Sequence, residues 1–149
     1  MDELEAEIWA DQRFSEAMGY LSERDIRTTG ILVLGWLAAP HIALWTARSN
    51  AGLAPVWVIS GRTPLDHVLA PDVSTPREAL RTLGDRWARI AADPGTDDAP
   101  RTLDFHIPDD GPERAEALKT LDRFARMLRG IAGDESLWAE SGPGRRSRG

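Results

Sequence analysis

Residues 41–48, HIALWTAR, and residues 55–61, PVWVISG, decide how this chain is read. In the first run Ile42 and Leu44 occupy one alternating face while Ala43, Trp45 and Ala47 occupy the other, so both sides are apolar. In the second, Val56, Trp57, Val58 and Ile59 form an unbroken apolar block. Runs of this kind fit strands covered on both faces. Between them, Asn50 and Gly52 tolerate the backbone conformations that a reversal needs. A β-hairpin 41–48/55–61 is expected, with Trp45 and Trp57 on neighbouring strands.

Upstream, residues 28–40 (TTGILVLGWLAAP) carry Gly30, Gly35 and Pro40, which predicts a buried irregular approach holding at most a short strand at 31–34. Downstream, a turn at Gly61 and Pro64 leads to a possible short third strand at 66–70. Farther along, residues 101–107 (RTLDFHI) alternate Leu103, Phe105 and Ile107 with Thr102, Asp104 and His106, the pattern of an edge strand with one wet face.

Three helices flank these strands. Near 2–24, Leu4, Ile8, Phe14, Met18 and Leu21 share a face, placing Trp9 and Tyr20 on the opposite side. Near 76–92, Thr75-Pro76-Arg77-Glu78 has the form of a capping box, followed by the stripe Ala79, Leu80, Leu83, Trp87 and Ile90. Near 112–130, Leu118, Leu121, Phe124, Ala125, Leu128 and Ile131 point inward, and Asp134 caps a last short turn. The order implies an α+β fold in which a small, mostly antiparallel sheet is packed by helices.

The 149 residues suit one domain, expected over 1–140, with a disordered basic tail at 141–149 (SGPGRRSRG). With no Cys, disulfide frameworks and zinc–thiolate sites are excluded. The acidic start has no apolar core of a signal peptide and no run approaches a membrane span, so a cytoplasmic protein without a membrane partner is expected. Net charge is −6, and residues 1–25 alone hold eight acids against Arg13 and Arg24. Such a chain lacks the basic face that DNA binding requires.

Catalytic thiols are excluded, and neither a nucleophile elbow nor a nucleotide-binding fingerprint occurs. Asp66-His67 and Asp104-Phe105-His106 remain, with His67, Asp104 and His106 as an alternative metal set. A Ser60-His67-Asp66 triad is rejected, because adjacent Asp and His on a strand point to opposite faces. Six Trp is several times ordinary usage. Trp45, Trp57 and Trp87 fit the core pattern, whereas Trp9, Trp36 and Trp138 are open: clustered, they line a pocket or partner surface; scattered, they mean a rich core.

Several of these motifs come in a fixed order: Trp36-Leu-Ala-Ala-Pro40-His-Ile-Ala-Leu-Trp45, Trp57-Val-Ile-Ser-Gly61, Pro64-Leu-Asp66, Pro76-Arg77-Glu78-Ala79-Leu80 and Trp87. This order resembles a family of small bacterial proteins known as domain of unknown function 4826, and the closing Asp134-Glu-x-x-Trp138-x-Glu140 is similar in layout. The resemblance implies a stand-alone bacterial cytosolic domain and brings no activity, cofactor or catalytic residue with it. Asp66 and Arg77 match the family pattern, while Arg62 and His67 depart from it.

The reading that follows is a non-enzymatic module without a cofactor, contacting another protein or a second copy through Trp residues and the acidic first helix. Its candidate binding residues are Trp9, Trp36, Trp57, Asp66, His67, Arg77 and Trp138. Two competitors stand beside it. One is a small metal- or acid/base-dependent enzyme built on Asp66, His67, Asp104 and His106; the other binds a small ligand in an apolar cavity under Trp36 and Trp57.

Overall fold

In the computed structural model, which describes residues 2–38, 41–50, 54–95 and 102–140, the expected hairpin is present. The elements in chain order are α1 (Glu3–Glu23), β1 (Thr28–Ala38), β2 (Ile42–Ser49), β3 (Pro55–Gly61), β4 (Asp66–Leu69), α2 (Pro76–Ala92), α3 (Gly111–Gly133) and α4 (Glu135–Glu140). The strands form one antiparallel sheet in the order β1-β2-β3-β4. The fold is α+β. The reversal at 51–53, part of the linker at 96–100 and the tail at 141–149 lie outside the described residues.

The described chain forms two compact units: one from 1–76 with 99–106, the other from 77–98 with 107–149. In the first, β2 and β3 pair from Ile42↔Gly61 to Arg48↔Pro55, which sets Trp45 opposite Val58 and Thr46 opposite Trp57. Both faces of this hairpin are buried, as the double-sided apolar pattern requires. On one face, Ala43, Trp45, Val56 and Val58 pack with Leu32 of β1 and with Ala17, Tyr20 and Leu21 of α1. Phe14 meets Trp45 edge to face at 5.4 Å. Ser60 ties the layers together, accepting from Trp45 Nε1 (3.0 Å) and donating to the Arg13 carbonyl (3.1 Å).

Helix α1 is rotated relative to the expected inward stripe. Leu4, Ile8 and Met18 are 65%, 51% and 36% exposed, whereas Ala17, Tyr20 and Leu21 are buried. Ala17 permits close approach to the sheet and the Tyr20 hydroxyl finds partners inside, while Phe14 and Leu21 of the expected stripe do face the sheet.

Two further expectations are corrected. Residues 28–38 form an eleven-residue strand rather than a short one at 31–34. Its glycines are accommodated by register irregularities between Thr29 and Val33 and between Leu34 and Trp36, with Gly30 at φ 80°. At Gly35 an added Cβ would lie 2.7 Å from the Trp57 ring, so the missing side chain makes room for the indole. Residues 102–107 are not a strand; Asp104 makes a single bridge to Leu65. Thr102 bonds to side chains instead of a ladder, its hydroxyl donating to Asp66 and its carbonyl accepting from Tyr20.

In the second unit, α2 buries the expected Ala79, Leu80, Leu83, Trp87 and Ile90, and α3 buries Leu121, Ala125, Leu128 and Ala132. The helices approach where Gly84 lies against α3: a Cβ there would stand 2.7 Å from Arg129 Cγ and 3.3 Å from the Ala125 carbonyl oxygen. Asp85 pairs with Arg129 across them at 3.3 Å. Asp134 accepts from the Ser136 N–H at the start of α4 (3.1 Å). No described helix is long and apolar enough to cross a membrane.

Candidate functional site

The polar residues singled out in β4 form a buried network at the sheet edge. One Asp66 carboxylate oxygen accepts from the His67 backbone N–H (2.7 Å) and from Thr102 Oγ1 (2.6 Å). The Thr102 carbonyl accepts the Tyr20 hydroxyl proton (2.5 Å), while His67 Nδ1 lies 2.8 Å from the same hydroxyl oxygen. A phenol has one proton to give, and a carbonyl can only accept. With the Tyr20 hydroxyl directed at the Thr102 carbonyl, the Tyr20–His67 contact is satisfied when Nδ1–H donates to the hydroxyl oxygen. Tyr20 and His67 also meet edge to face, and the Arg24 guanidinium lies 3.9 Å from the Tyr20 ring centre.

This arrangement joins α1, β4 and the 102–104 segment and differs from the geometry of a hydrolytic triad. Asp66 meets His67 at its backbone rather than its ring, and Ser60 is engaged with Trp45 and Arg13. Asp104 and His106 are exposed, whereas His67 is buried. Among the described residues, no group of three His, Cys, Asp or Glu side chains is placed to hold a metal ion. A shallow concavity of about 450 Å³ lies beside the network, bordered by Glu16, Tyr20 and Glu23 of α1 and by Thr63, Leu65 and Asp104; His67 does not line it.

Each tryptophan is buried or half-buried. Trp57 is buried and donates Nε1 to the Val73 carbonyl (2.9 Å). Trp36 is half-buried opposite Leu44, and Trp9 is half-buried against the α1–sheet core with the Arg13 guanidinium 5.3 Å from its ring centre. In the second unit, half-buried Trp138 donates to the Ile131 carbonyl (2.9 Å). Beside it, Arg77 donates Nε to the Ala132 carbonyl (2.6 Å) and pairs with Glu135 at 2.7 Å. The Arg77 hydrogen bond and charge hold the exposed Glu135 carboxyl below its ordinary range. Asp66 and His67 are thus brought together, as are Arg77 and Trp138, while Trp9, Trp36 and Trp57 serve separate packing contacts.

One group of exposed apolar side chains lies on α1. At about 100° per residue, Leu4, Ile8, Asp11, Ser15 and Met18 fall within roughly 80° of one another, opposite the sheet. Glu5, Gln12, Glu16 and Glu23 line one flank of this stripe and Glu3 and Glu7 the other. The helix starts with Asp2 capping the Glu5 N–H (2.8 Å), and the first-turn acids Glu3 and Glu5 complement its dipole. Periodicity groups Leu4, Ile8 and Met18 with Phe14 and Leu21; the structure turns the first three outward and the last two onto the sheet.

The geometry defines an α+β protein with an acidic, partly apolar outer helix. The family pattern described as Domain of unknown function (DUF4826) matches residues 3–138, and the chain belongs to that family. Searches of the curated proteins and of the solved structures returned no match.

Proposed function

We propose that this protein is a non-enzymatic interaction module that docks a basic protein surface on the outer face of α1. The observation supporting this reading is that Leu4, Ile8 and Met18, 65%, 51% and 36% exposed, share an outer face of α1 with Asp11 and Ser15 and have Glu3, Glu5, Glu7 and Glu16 on its flanks. Covering such side chains supplies contact energy, of order 1.5–3 kcal/mol for a fully buried Leu, Ile or Met. The carboxylates favour a cationic partner and accelerate its approach from a distance. A bacterial cytosolic setting belongs to the same reading and rests on the family resemblance.

The direct test uses a synthetic amphipathic helix with Leu at alternating four- and three-residue spacing and Lys on its flanks. Its association rate with the full chain should fall as salt rises, and neutralising Glu3, Glu5 and Glu7 together should slow it. Leu4→Ala, Ile8→Ala and Met18→Ala combined should weaken affinity by about tenfold or more, because apolar contact area is lost. A salt-independent rate, or equal binding by the triple variant and the parent, would overturn the proposal.

A further inference from the structure

We infer that β1 is a self-association edge, through which two copies of this chain pair antiparallel and continue their sheets into one. The two sheet edges differ sharply. Strand β4 is four residues long, and Leu65 beside it is bridged by Asp104. Strand β1 is eleven residues long and, among the described residues, pairs only with β2. Exposed edges are usually blunted by charged side chains, proline, shortness or bulges. Of these devices β1 has only its two bulge-like irregularities, since Thr28–Ala38 is long and contains no Asp, Glu, Lys, Arg or Pro. Its two register irregularities leave Val33 and Leu34 paired with Thr46 and Trp45, followed by the regular run from Trp36 to Ala38.

Symmetry and charge point to a second copy as the occupant. Val33 and Leu34, 54% and 45% exposed, lie at the middle of the strand. A twofold axis at that midpoint sets the central residues against their symmetry mates, the self-complementary arrangement of an isologous interface. Between Arg27 and Arg62 the only charged residue is Arg48, although the chain carries −6. Two copies of an acidic protein repel less when joined through such a neutral region than through α1, where carboxylates would face carboxylates.

Sedimentation of the full chain at roughly 100 μM should show a concentration-dependent dimer, in the micromolar affinity range of a modest interface. Leu34→Lys should weaken it by about tenfold or more by placing like charges near the axis, whereas Ile8→Lys should leave it intact. Because the chain has no Cys, single-cysteine variants provide a test that does not depend on tolerance of a charge. Under mild oxidation Val33→Cys or Leu34→Cys should give a covalent dimer and Leu4→Cys should not. A monomer at that concentration, a dimer dissolved by Ile8→Lys but not by Leu34→Lys, or cross-linking only at position 4 would overturn the inference. Capture of a foreign strand by a monomeric chain would overturn it as well.

Discussion

Replacing Gly61 by Ala should be more damaging than replacing Gly30 by Ala, although both glycines have positive φ. Gly61 ends β3 at φ 133°, and a Cβ there would lie 2.3 Å from the His41 carbonyl oxygen and 3.1 Å from Ile42 Cα. These are backbone atoms of the Ile42↔Gly61 pair, so no rotamer change relieves the overlap. Relief requires separating the strands, which breaks the Arg62 N–H bond to the His41 carbonyl (2.8 Å). Backbone strain of about 1–3 kcal/mol and a lost hydrogen bond of about 1 kcal/mol give a cost of about 2–4 kcal/mol. At Gly30, φ is 80° and nothing lies within 4 Å of the added Cβ, leaving only the left-handed penalty of about 1–2 kcal/mol. For a chain of this length each kcal/mol lowers Tm by about 2–4 °C, so Gly61→Ala should cost about 4–16 °C. Thermal and urea unfolding followed by far-ultraviolet circular dichroism measure the pair. If Gly61→Ala is no more destabilising than Gly30→Ala, the steric argument is refuted.

Two further substitutions test the remaining polar contacts. Asp66→Ala should destabilise by about 2–4 kcal/mol, since it leaves the His67 N–H and Thr102 hydroxyl without their carboxylate acceptor; Asp66→Asn keeps an oxygen there and should cost less than half as much. Equal urea midpoints for the two variants would contradict that account. Arg77→Gln should raise the Glu135 titration midpoint toward the ordinary glutamate value, followed by carboxyl-carbon NMR. Because the folded-state value is depressed, the pair's contribution is present above the ordinary glutamate range and is lost as pH falls through the folded-state midpoint. An unchanged midpoint would show that Arg77 does not govern Glu135.

Much of the architecture is legible residue by residue. Ile42, Leu44 and Ile59 belong to strands apolar on both faces, so no choice of face was needed to place them in the core. The α2 stripe from Ala79 to Ile90 is similarly direct, because its apolar residues occupy one narrow face. Asp66 and His67 were recognisable as chemically notable residues, but their partners Tyr20 and Thr102 are distant in sequence, and residue type alone does not distinguish a structural tie from a catalytic pair. Trp count by itself does not separate the two roles, since indole area fills a core as readily as it anchors an interface.

By itself, the sequence determined the elements whose local pattern and burial agree: the hairpin, α2, the long α3 and the acidic character of α1. Tertiary structure decided which side of α1 faces outward, how far β1 extends and why 102–107 leaves the ladder. These outcomes depend on long-range alternatives. Ala17, Tyr20 and Leu21 meet the sheet while Leu4, Ile8 and Met18 of the same helix face outward, glycines at 30 and 35 allow a strand to bend past Trp57, and the polar groups of Thr102 find partners on Asp66 and Tyr20. Periodicity identifies an apolar stripe from neighbours along the chain, whereas its direction is set by the surface it meets.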